Sequence, residues 1–125
     1  MGLMSNKGIT LIIDELMKVK GVSVVALVRK DGVVIESEST LNLDEDTLGA
    51  LVATSIGASE ALASEFSLGE FDVLLSEYTH GKILMATVGN YVLAIFTDKT
   101  TVIGSVRYSV KVCFSELISI LSTLK

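Results

Sequence analysis

One segment constrains this chain more than any other: from Thr47 to Ser59 it carries no charged residue, yet its pattern is helical. Asp44–Phe66 reads as one long helix. Asn42 and Glu45 have capping-box spacing, Asp44 offers an alternative cap, and Gly69 lies beyond the far end. At ~100° per residue, Leu48, Leu51, Leu62 and Phe66 fall on one face with Val52 nearby, a stripe suited to packing on a sheet. The opposite side carries Gly49, Ala53, Gly57 and Ala61, with Ala50, Thr54 and Ala58 beside them. A helix bounded by water normally shows charge there.

The energetics sharpen the point. Each glycine in a helix interior costs about 1 kcal/mol against alanine. A smooth ridge of small residues lets another backbone approach closely, and the added dispersion contacts offset that cost. Such a helix is ~35 Å long, against a radius of gyration near ~14 Å for a domain of this size. Its outer side is too large and too apolar to leave in water. A plainer reading has Gly and Ala keeping the helix tight against its own sheet. Because the large residues already occupy the sheet side, the sharper reading is a two-fold dimer in which the helix meets its copy. A predicted strand at Phe71–Tyr78 adds to it. It lies at a sheet edge, and Phe71, Val73 and Leu75 are blunted only by Asp72, Ser76 and Glu77. Unprotected edges invite pairing with another chain.

The remaining pattern supplies the frame. Ile9, Ile12, Ile13, Leu16 and Met17 recur at helical spacing within Lys7–Lys20, with Ser5 or Asn6 as cap and Gly21 at the far end. Val22–Lys30 and Val33–Glu38 read as strands around Asp31-Gly32, a two-residue hairpin signal. After the long helix come strands at Phe71–Tyr78, Lys82–Val88 and Tyr91–Thr97, joined by Thr79-His80-Gly81 and Gly89-Asn90. Links this short imply antiparallel neighbours. A closing helix begins near Thr101. The strands at Val22–Lys30 and Tyr91–Thr97 are apolar on both faces and need cover on both. The expected architecture is an α/β chain of the α+β type: a five-stranded antiparallel sheet in the order 2-1-5-4-3, the long helix on one face and two helices on the other. Residues 1–125 form a single domain.

Composition narrows the function. Half of the 125 residues are apolar, and the mean hydropathy is +0.61. No apolar run approaches the ~18–20 residues that span a bilayer, and Met1–Lys7 lacks the order of a signal peptide. The net charge of −5, with ten scattered basic residues, argues against nucleic acid and against anionic membrane. One cysteine permits no intrachain disulfide, which suits a cytoplasmic setting.

No catalytic constellation emerges. His80, the only histidine, falls in a turn, and Cys113 falls on the apolar stripe of the last helix, where a small buried hydrophobe is expected. The two do not make a metal or catalytic pair by spacing. Neither glycine-rich phosphate-binding pattern is present. Asp14-Glu15 reads as a solvated face, and Asp44-Glu45-Asp46 suits a helix N-terminus. Arg107, early in the last helix, reads as a solvated arginine or as a contact to a partner. No metal, cofactor or catalytic residue is expected.

In this order of elements the chain resembles the roadblock/dynein light-chain family, a profilin-like architecture, over nearly its whole length. The resemblance rests on Leu16 to Gly21-Val22, Val28-Arg29-Lys30-Asp31-Gly32, the alanine-rich middle helix, Val88-Gly89-Asn90-Tyr91-Val92-Leu93, and Ile103-Gly104-Ser105-Val106-Arg107. It implies a homodimer joined through middle helices and edge strands. It also implies a non-enzymatic scaffold that often partners or regulates small Ras-like GTPases. The short chain without tails looks most like the prokaryotic stand-alone form. The competing reading is a small-molecule sensor of the profilin-like or PAS-like kind, with helix glycines opening a pocket. An enzyme would need converging titratable groups that the sequence does not offer.

Overall fold

Eight elements follow one another in a computed structural model that describes residues 2–123, with side chains from Gly8 onward. They are α1 (Gly2–Met17), β1 (Val22–Arg29), β2 (Val34–Ser39), α2 (Glu45–Glu65), β3 (Val73–Tyr78), β4 (Gly81–Val88), β5 (Tyr91–Asp98) and α3 (Ile103–Leu121). The strands form one antiparallel sheet in the order β2-β1-β5-β4-β3. The short links account for three of its four pairings, and the β1–β5 pairing joins the two groups. α2 carries the chain from one edge, β2, to the other, β3.

Alternation along the strands divides the interior into two layers. On one face, Val25, Leu27, Leu93 and Ile95 meet Ile9, Ile13 and Leu16 of α1 and Val106, Val110 and Leu117 of α3. On the other, Leu48, Val52 and Ile56 of α2 lie over Ala26, Val28, Val92 and Ala94. Each fully buried Leu or Ile contributes about 1.5–3 kcal/mol relative to exposure. The two floors differ in height. Large side chains carry α1 and α3, whereas Ala26 and Ala94 leave a low floor beneath α2.

Several boundaries differ from the sequence reading. α1 starts ahead of Lys7, and the side chains of Ser5 and Asn6 lie outside the described residues. The first hairpin does not have a two-residue turn. The Arg29 amide donates to the Val33 carbonyl and the Gly32 amide to the Arg29 carbonyl, each at 2.8 Å. The loop is therefore Lys30-Asp31-Gly32, and the register shifts beside it, between Leu27 and Val28. A two-residue type I′ turn needs both central residues at positive φ. Gly32 has φ +101°, but Asp31 is not in that region. Gly89-Asn90 is a two-residue turn between paired Val88 and Tyr91, as expected. Thr79-His80 is the other, because Gly81 already pairs with Tyr78.

The caps of α2 are also settled locally. Asp44 is the N-cap, its carboxylate accepting from the Asp46 amide at 3.1 Å and the Thr47 hydroxyl at 2.9 Å. Asn42 and Glu45 do not form a capping box; the Glu45 carboxylate accepts instead from the Ser37 hydroxyl of β2. The helix ends at Phe66, and the left-handed residue after it is Ser67, at φ 55°, ahead of Gly69.

Candidate interaction surface

The middle helix does not sit on the sheet by the face that its large residues suggested. Leu48, Gly49, Val52 and Ile56 are buried. Leu51, Leu62 and Phe66 point into solvent, with exposures of 62%, 57% and 65%. The buried stripe is turned by about 80° from the one read off the sequence, at 3.6 residues per turn. Gly49 supplies the physical reason. A Cβ there would lie 1.9 Å from the Gly32 carbonyl oxygen, so the first hairpin touches the helix backbone directly. That contact, above the low floor of Ala26 and Ala94, sets the rotation of the helix. Lys30 of the same loop reaches Glu60 at 2.8 Å and ties the hairpin to α2 further along.

Gly49 is thereby removed from the outward surface on which it was expected. Ala50, Thr54, Gly57, Ala58 and Ala61 remain exposed, and Ala53 is half-buried. A Cβ added to Gly57 would meet nothing within 4 Å. The Thr54 hydroxyl donates to the Ala50 carbonyl at 2.8 Å and the Ser55 hydroxyl to the Leu51 carbonyl at 2.9 Å, so both donors are used inside the helix. The outer face is therefore apolar in effect as well as in composition. Leu51, Leu62 and Phe66 add large side chains to the small ones, and Leu68 extends the patch past the helix end at 71% exposure.

The edge strand adjoins this face. β3 pairs with β4 alone within the sheet. Phe71 precedes the strand and packs, half-buried, with the cluster under α2, and Val73 packs toward the α1/α3 core. Both side chains are half-buried against the chain's own interior. Leu75 is 37% exposed, and its backbone lies on the free edge. α2 lies mainly over β1, β2 and β5, and α1 over β1 and β2. The β3–β4 end of the sheet is the less covered one.

Titratable groups do not converge here. His80 is exposed in its link. Cys113 is half-buried, donates to the Val110 carbonyl, and has its thiol pushed up by burial, the opposite of an activated nucleophile. Glu38 of β2 is raised because its carboxyl shares a hydrogen bond with Asp14 of α1. Among the described residues no three potential metal ligands group together, and no helix is long and apolar enough to cross a membrane. Arg107 is exposed on α3. Ile56, buried, and Lys111, exposed, belong to no motif in the sequence. The spacing of Leu48, Val52 and Ile56 is the signal that identifies the buried row. Lys111 repeats Arg107 one turn later.

Comparison with known proteins follows the same outline. Residues 8–97 match the model of the Roadblock/LC7 domain. An uncharacterized protein of Methanocaldococcus jannaschii is 34% identical over 97 residues, which are 78% of this chain and 85% of that protein. Myxococcus xanthus MglB superposes with a TM-score of 0.86 at 32% identity, covering 93% of this chain and 96% of that one. A structure of MglB with a tetrameric arrangement superposes at 0.80 and 24% identity, covering 92% and 88%.

Proposed function

This chain belongs to the Roadblock/LC7 domain family, and from that premise we propose that it is a non-enzymatic homodimeric module that binds a small Ras-like GTPase and modulates it. The observation that carries this reading is the outer face of α2. Leu51, Leu62 and Phe66 are exposed beside Ala58, Ala61 and a Gly57 where an added Cβ would meet nothing within 4 Å among the described residues. Contiguous apolar patches of this kind mark association sites. A small-residue ridge flanked by large side chains suits a second copy of the same helix, which would set knobs beside grooves across a two-fold axis. The free edge of β3, with Leu75 on it, would meet its own copy beside the helices. The likeness to MglB supports the reading, and the tetrameric MglB structure supports self-association. The faces left free by dimerisation would then be presented to the GTPase, with the catalytic groups for hydrolysis residing in the partner.

Sedimentation equilibrium at low micromolar concentration tests the first half. The wild type is expected as a dimer, and Gly57→Glu or Leu51→Glu should weaken it about a hundredfold, roughly 2.7 kcal/mol. A monomeric wild type, or variants that dimerise as tightly, would sink the dimer. For the second half, purified small GTPases of the host are loaded with GDP or a GTP analogue, and both binding and hydrolysis are measured. Binding that prefers one nucleotide state supports the reading. No binding in either state overturns it.

A further inference from the structure

The sheet face opposite α2 holds a second surface, at the β3 end where α3 stops covering the strands. There an open groove of about 630 Å³ runs between α3 and the sheet. Val73, Leu84 and Ala86 of β3 and β4 form its floor, and Val110 and Phe114 of α3 form one wall. Leu84, Ala86 and Val110 are buried, and Val73 and Phe114 are half-buried. The rim is polar and exposed. Arg107 and Lys111 stand on the α3 side and Asp72 on the strand side.

Charge is what makes this groove distinctive. The chain carries −5 overall. The ion pairs among the described residues are Lys18–Glu15, Arg29–Asp31 and Lys30–Glu60, and Lys82 donates to the Thr101 carbonyl. Arg107 and Lys111 take part in none of these. They are four residues apart on one helix, so they leave the same face about 6 Å apart along its axis. Two cations without an ion-pair partner among the described residues thus line one rim of an apolar trough, opposite in sign to the molecule around them. A small ligand is normally enclosed over most of its surface, whereas this trough is open along an exposed rim and fits a segment of polypeptide. Its apolar floor and the carboxylate of Asp72 disfavour a nucleic-acid phosphate backbone.

We propose that the groove between α3 and β3–β4 docks an acidic amphipathic helix of a second protein. The apolar stripe of that helix lies on the half-buried Val73 and Phe114, above the buried Leu84. Two of its carboxylates, spaced four residues apart, face Arg107 and Lys111 at the same 6 Å interval set by the helical rise. Asp72 sets the orientation by repelling acid on the other side of the ligand helix. The groove lies on the opposite sheet face from α2, and the proposal does not rest on dimerisation or on a GTPase.

Three synthetic amphipathic peptides of equal length test it, with leucines at helical spacing flanked by Glu, by Ser or by Lys, each followed by fluorescence anisotropy against the full chain. The Glu peptide should bind at least about tenfold tighter than the Ser peptide, the Lys peptide weakest, and the gap should narrow as salt screens the pair. Arg107→Glu with Lys111→Glu, both at exposed positions, should invert the order. Arg107→Lys should keep it, and Gly57→Glu should leave it unchanged. Equal binding of the three peptides overturns the proposal, as does a charge-reversed variant that holds the Glu peptide as tightly as wild type. A change in oligomeric state on charge reversal also overturns it, because the groove is then covered by a second copy of this chain.

Discussion

Gly49 and Gly57 sit about two turns apart on one helix, and their surroundings are opposite. A Cβ on Gly49 would run into the Gly32 carbonyl oxygen at 1.9 Å, whereas a Cβ on Gly57 would find open space to 4 Å. The chain itself explains the first glycine. A hairpin backbone rests on the helix there, and only hydrogen fits between them. No close approach among the described residues requires the second, which lowers helix propensity by about 1 kcal/mol. The same residue type thus marks a contact made inside the fold at one position and a surface awaiting its contact at the other.

The contrast can be broken by substitution. Gly49→Ala has the largest expected effect. The obstructing atom is backbone, held by the Arg29–Val33 hydrogen bond and the Lys30–Glu60 pair, so unfolding free energy should fall by about 3 kcal/mol in urea titration. A loss under about 1 kcal/mol would mean that the hairpin retreats easily, and the explanation of Gly49 would fail. The same change at Gly57 should act in the other direction. At concentrations low enough to keep the chain monomeric, Gly57→Ala should add about 1 kcal/mol, because helix propensity improves with no clash. At high concentration the gain should shrink as the close approach of a second copy is obstructed. Equal gains at both concentrations would remove Gly57 from the interface.

The smallest effect tests the cap that serves both faces. Asp44 is held below the usual carboxylate range by the Thr47 hydroxyl and by backbone amides of the first turn. A depressed folded-state value adds stability above the unfolded value and loses it as pH falls through the folded one. Amide-exchange protection in the first turn of α2, taken relative to the intrinsic rate at each pH, should therefore fall only below about pH 4, near the model-peptide aspartate value. Asp44→Asn should abolish that dependence while keeping the cap. An unchanged acid dependence in the variant would assign it to another carboxylate.

The pairings of β1 with β2, of β3 with β4 and of β4 with β5 were legible because each joins neighbours in sequence, whereas the junction of β1 with β5 followed from strands apolar on both faces that need a central place. Gly89-Asn90 permits little besides a tight reversal, and two-residue links force adjacent antiparallel strands. The absence of charge from Thr47 to Ser59 was also legible, and the structure leaves Leu51, Leu62 and Phe66 of that helix exposed. Which of its side chains face outward was not legible. Leu51, Leu62 and Phe66 were assigned to the sheet, and Gly49 to the outside, because large residues were assumed to face the core. Ala26 and Ala94 had already lowered that core, so medium-sized Val52 and Ile56 filled it. The side chain of Phe71, next to the edge strand in sequence, packs half-buried with the cluster under α2. Arg107 was singled out alone, since the strand that makes its groove lies far away in sequence.

Residue order by itself determined the elements, the antiparallel pairs joined by short links and the uncharged helix, because each follows from backbone preference and periodicity over a few residues. Tertiary structure alone decided which way that helix turned, which glycine was filled by its own chain, and where two cations met an apolar trough. Periodicity sets the angles between side chains on a helix, but the rotation of the whole helix is set where backbones touch. Here that point is the contact between Gly32 and Gly49.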